Sequence, residues 1–100
     1  MFIYNVTTKV DYPIAEAWLK WLKEEHIPEV MRSGCFEKYY LLKLLRVDET
    51  EGPTYAVQYF ANSLSNYDDY IVLHAPSLRK KTIDKWGDSF IAFRTLMQVV

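Results

Sequence analysis

The only two histidines of this 100-residue chain each stand two residues before a proline, as His26-Ile27-Pro28 and His74-Ala75-Pro76. An imidazole changes charge near neutral pH, so either one suits a general base or a polar ligand contact. His26 is the candidate catalytic residue, with His74 beside it as a ligand-binding candidate. A second reading stays open. Each proline withholds an amide from the carbonyl four residues back, that of Glu24 or Val72. An imidazole N–H could satisfy that carbonyl instead of a ligand.

Three polar residues fall in the middle of otherwise apolar, strand-like stretches: Asn5, Gln58 and Arg94. If their strands are neighbours and they share a face, two amides and a guanidinium converge on one spot. That set would fix an anionic or carbonyl-bearing ligand, with Arg94 as the anion anchor. Tyr59 is a further ligand-binding candidate, and Tyr4, Tyr39, Tyr40 and Tyr55 could wall the same pocket. A cross-strand polar network, or an Arg94 ion pair across a dimer, would use the same residues without a ligand. The pocket reading requires a cavity on the order of a few hundred Å³ reached by His26 or Arg94.

Other chemistries find little support. Cys35 is a lone thiol without ligand spacing, so no metal is expected, and it reads as a small buried apolar residue. There is no Gly-rich phosphate loop and no Gly-x-Ser-x-Gly, and no other cofactor is expected. Acids and bases are interspersed at a formal net charge of -1, which argues against nucleic acid or an anionic membrane as partner. The densest basic cluster, Arg79-Lys80-Lys81, has Asp84 at helical spacing and reads as a solvated helix face. Met1 to Asn5 lacks the basic start and apolar run of a signal peptide, and no stretch is long enough to span a bilayer. A cytoplasmic protein is the expectation.

The elements that must position these residues follow from periodicity. Phe2 to Val10 alternates with a period of two and reads as a strand. Asp11-Tyr12-Pro13 opens a helix whose apolar stripe is Ile14, Ala17, Trp18, Trp21 and Leu22. Pro28 kinks or restarts it, Val30 and Met31 resume the stripe, and Gly34 stops it. Phe36 to Val47 and Pro53 to Ala61 read as two strands joined by the polar link Asp48 to Gly52. Ser65, with Asp68 three residues on, has the spacing of a capping box. Tyr67, Tyr70, Ile71 and Leu78 mark a second helix, interrupted at Pro76 and closed by Trp86-Gly87. Phe90 to Val100 is the last strand. Each half thus repeats strand, interrupted helix, glycine, phenylalanine and strand.

The order βαββαβ within one domain, residues 1–100, predicts an α+β ferredoxin-like fold. Its four-stranded antiparallel sheet would carry two kinked helices on one face. The other face should then be polar, and it is not. Tyr40, Leu42 and Leu44 oppose Tyr39, Leu41 and Leu45, while Ile91, Phe93 and Met97 oppose Phe90, Ala92 and Leu96. Leaving five or six such side chains wet forgoes roughly 10 kcal/mol, as much as a small domain's whole stability. A homodimer through this sheet face is the expected answer.

The His-x-Pro turns, the glycine-phenylalanine strand entries and this element order resemble the dimeric α+β barrel superfamily, which includes EthD-like, YCII-like and antibiotic-biosynthesis-monooxygenase-like proteins. His26-Ile27-Pro28-Glu29-Val30-Met31, Gly34-Cys35-Phe36, Thr54 to Tyr59 and Ala92-Phe93-Arg94-Thr95 look like the bacterial domain of unknown function 4286, nearly end to end. That resemblance implies a fold and no activity. The superfamily hosts cofactor-free oxygenases, haem-degrading enzymes, ligand sensors and proteins without known activity. Two functions are therefore weighed. One is a small-molecule site in a dimeric α+β barrel, including a cofactor-independent enzyme. The other is a structural or protein-interaction module without catalysis. Haem handling is a third, through a histidine ligand. The residues do not decide between enzyme and binder.

Overall fold

The computed structural model describes residues 1–100. Strand β1 (Phe2–Val10) lies at the centre of one antiparallel sheet, between β3 (Thr54–Ala61) and the edge strand β4 (Phe90–Gln98). Strand β2 (Lys38–Lys43) forms the other edge, giving the order β2-β3-β1-β4. This is the expected ferredoxin-like α+β arrangement.

Two helical runs cover one face. The first comprises α1 (Tyr12–Trp21), a π-turn (Leu22–His26) and α2 (Ile27–Arg32). The second comprises α3 (Leu64–Asp69), a π-turn (Tyr70–His74) and α4 (Ala75–Trp86). The interruption expected at each proline takes this wider form. The amide of Ile27 bonds the carbonyl of Leu22, and that of Ala75 the carbonyl of Tyr70, five residues back in each case. Pro28 and Pro76 then fall in the first turn of the helix that follows, where a missing amide is harmless.

The core lies between the runs and the sheet. Val10, Ile27, Val30 and Tyr59 are its largest fully buried side chains. The ring of Tyr4 touches those of Phe36, Tyr59, Tyr67 and Tyr70, with centroids 5.5–6.1 Å apart. Cys35 is buried beside Phe36, as its type led us to expect. Lys80 and Asp84 pair on the solvent side of α4 at 2.7 Å.

Several boundaries depart from the sequence reading. β2 stops at Lys43 rather than Val47, because Arg46 takes a left-handed φ of 59° and turns the chain. The second run is capped two residues earlier than Ser65: the Ser63 hydroxyl accepts from the Asn66 amide at 3.1 Å. β4 ends at Gln98, and Ala17 faces solvent. Gly34 and Gly87 take positive φ at the two helix ends, as expected.

The face away from the helices leaves Tyr40 and Leu42 of β2 and Ile91, Phe93 and Met97 of β4 exposed by 37–65%. Register places a more polar row between them: Tyr40, Gln58, Asn5 and Thr95 are neighbours across all four strands.

Candidate functional site

Between the helical runs and the sheet lies a cavity with aromatic walls. Trp18 and Trp21 of α1, Tyr55 of β3 and Phe90 of β4 line one part, and Tyr4, Tyr59 and Tyr70 another. His26 and Arg94 both reach it, together with Arg79 and Thr82 of α4. The cavity volume is about 60 Å³, room for about two waters at a liquid share of ~30 Å³ each. This falls below the few hundred Å³ expected. The aromatic side chains fill much of the interior themselves.

His26 is mostly buried, and its ring stacks on Trp21 with centroids 4.8 Å apart and planes 26° apart. Burial pushes its pKa down to about 4, a shift that Glu29 opposes and the Arg94 charge reinforces. At neutral pH the imidazole is uncharged, able to accept or donate a hydrogen bond inside an apolar wall. His26 also borders an outer groove lined by Glu24, Glu25, Glu29 and Lys81, so it separates the cavity from a charged surface. Neither imidazole bonds the carbonyls freed by the prolines; the π-turns accommodate the prolines without them.

The two histidines occupy different surroundings despite their matching motifs. His74 stacks on Tyr70 at 6.3 Å and borders an outer groove with Glu29, Arg32, Ser77 and Lys81. Tyr59 lines the cavity at 2% exposure, and burial raises its pKa well above the phenol range.

The expected convergence of Asn5, Gln58 and Arg94 does not occur. Their strands are neighbours and Asn5 lies directly opposite Gln58, but the residue opposite Arg94 is Val6. One step along a strand reverses the side-chain direction, so the amides face away from the helices and the guanidinium faces the cavity. The Asn5 amide donates instead to Thr7 Oγ1 at 2.9 Å. Of the tyrosines proposed as walls, Tyr4, Tyr55 and Tyr59 line the cavity, whereas Tyr39 and Tyr40 are exposed.

The charge pattern places Arg79 in a solvated cluster, but in the structure it turns inward. Its Nη2 donates to Tyr4 Oη at 3.3 Å, while Lys80 and Lys81 remain outside. The signal was present in the spacing: Ala75, Leu78, Arg79 and Thr82 fall at i, i+3, i+4 and i+7 on one stripe. Two more polar groups went unnoticed. The indole N–H groups of Trp18 and Trp86 are buried without acceptors, each costing about 1–3 kcal/mol. That of Trp18 belongs to a ring lining the cavity.

A family model described as a domain of unknown function, DUF4286, matches residues 1–100. No curated protein matches the chain. Among solved structures, an EthD-family protein from Bacillus halodurans is similar at 9% identity and a TM-score of 0.69, over 100% of both chains. A dimeric ferredoxin-like protein from an uncultured marine organism is similar at 17% identity and TM-score 0.70, covering 100% of this chain and 95% of that one. The haem-degrader MhuD of Mycobacterium tuberculosis, solved with two haems in its active site, is similar at 16% identity and TM-score 0.67, covering 100% and 96%. At these identities the likeness is one of fold.

Proposed function

The chain belongs to the DUF4286 family, a domain of unknown function, and from that premise we propose that it binds a small molecule in the cavity between its helical runs and its sheet. One observation carries this reading. An apolar, aromatic-walled space is lined by a neutral imidazole and by the ring of Trp18, whose buried indole N–H has no acceptor. Apolar walls with a few placed polar groups are the usual make-up of a ligand site. His26 is the polar contact, and in a cofactor-independent enzyme of this fold it would be the acid/base. Haem handling draws no support from a space of about 60 Å³. A macrocycle would require the helices to part from the sheet.

Toluene tests the reading. It should shift the indole N–H resonance of Trp18 saturably, and Ala92→Phe, which fills the cavity, should abolish the shift. A Trp18 resonance that toluene leaves in place would overturn the proposal.

A second copy of the chain is the partner we assign to the opposite sheet face. Five large apolar side chains lie open there on the two edge strands, flanking the Asn5–Gln58 pair. A two-fold axis would bring each apolar strip onto its counterpart, with the amides free to bond each other across it. Asn5 and Gln58 then serve the dimer rather than the ligand. No helix is long and apolar enough to cross a membrane.

A further inference from the structure

We propose that the ligand is a small carboxylic acid with a flat apolar body, its carboxylate held between Arg79 and Arg94 beside the Tyr70 hydroxyl. The inference rests on the cavity reading above and specifies what that cavity selects.

The argument begins with unbalanced charge. The ion pairs of the chain are Lys9–Glu51, Lys43–Glu49, Lys80–Asp84 and Lys81–Glu29, and neither cavity arginine takes part. Arg79 has one side-chain hydrogen bond, to Tyr4, and Arg94 has none. No aspartate or glutamate lines the cavity, although two guanidinium groups do. Cations beside a low-dielectric space without a counter-charge favour an anion there. The planar guanidinium fork matches a carboxylate in geometry as well as sign.

Position supports the same conclusion. Arg79 and Arg94 reach the cavity from different elements, α4 and β4, and Tyr70 lines it with them. Arg94 is exposed on the edge strand, at the mouth, whereas Arg79 is half-buried. An acid entering past Arg94 would carry its flat body inward against Trp18, Trp21 and Tyr55. At about 60 Å³ the space is smaller than the ~150 Å³ of a cavity that takes up benzene, so a single ring enters only as the aromatic walls give way.

Benzoate and its neutral isostere benzamide are the probes, titrated into the full chain while the Trp18 indole resonance is followed. Benzoate should half-saturate at a concentration at least about tenfold lower than benzamide, the ratio a single charge-assisted contact gives. Arg94→Gln should erase that ratio, and Arg94→Lys should keep most of it. Equal affinity for the two probes overturns the anion inference and leaves the cavity reading standing. A benzoate preference unchanged in both Arg94→Gln and Arg79→Gln also overturns it. If neither probe, nor toluene, moves Trp18, the cavity reading fails and takes this inference with it.

Discussion

Trp21 and His26 stack face to face although they are five residues apart in one helical run. In an α-helix, residues five apart lie about 140° around the axis and cannot meet. The π-turn at Leu22–His26 takes up the extra residue and brings both rings to the cavity side. Buried Trp18 and Leu22 before it and Ile27 and Val30 after it keep one common face. The local backbone thus positions the candidate histidine, and π-turns of this kind are frequent at functional sites.

Deleting the exposed Glu25 should convert the π-turn to an α-turn while preserving that face. Ile27 and Val30 would then fall at ordinary helical spacing from Leu22. Pro28, however, would meet the carbonyl four residues back, a loss of about 3 kcal/mol. Urea unfolding should show that loss for the deletion alone and its recovery when Pro28→Ala is added. Failure of Pro28→Ala to rescue would mean that the proline is not what sustains the π-turn.

Protonation of His26 should weaken the fold in a defined window. Its pKa is about 4 when folded against 6.5 when exposed, so the unfolded chain takes up the proton first as pH falls. Stability attributable to the buried neutral ring is complete above pH 6.5 and declines as pH falls towards 4, by up to about 3 kcal/mol. His26→Gln should flatten this part of the profile. A wild-type unfolding free energy that is level across the window would refute the assignment.

Leu42→Glu should separate the proposed dimer. The change occurs twice in an isologous interface and removes about 1.5–3 kcal/mol of apolar burial each time. Light scattering should therefore show dimer for the parent chain and monomer for the variant at micromolar concentration, with circular dichroism unchanged. A parent chain that scatters as a single subunit would refute the homodimer directly.

Gly52→Ala should be poorly tolerated. A Cβ there would overlap the backbone carbonyl of Val10, at the corner where the Val10 amide bonds Pro53 and the Tyr12 amide bonds Glu51. We expect a loss of at least about 2 kcal/mol, as for other buried steric clashes. Thermal melting within a degree or two of the parent would contradict the crowding at this corner.

Much of this architecture was legible in the amino-acid order. Alternation marked β1 from Phe2 to Val10 to the residue, and the His-x-Pro motifs marked where each helical run changes form. The stripe on the first run even carried the π-turn, since Trp18 and Leu22 lead on to Ile27 and Val30 rather than to positions 26 and 29. The apolar outer face was foreseen from the double-sided greasiness of β2 and β4.

The composition of the site was not legible in the same way. Arg94 and Asn5 both read as polar interruptions of a strand, and chain order does not say which face either occupies. That is decided by hydrogen-bond register: Val6, not Asn5, stands opposite Arg94. A slip of β4 by one residue would pair Arg94 with Asn5 and turn it outward beside the amides at little local cost. Packing of Phe90 against the core beneath the helices excludes it. Local preference thus wrote the strands and helices into the sequence, while long-range packing chose their faces, and with them which charges surround the cavity.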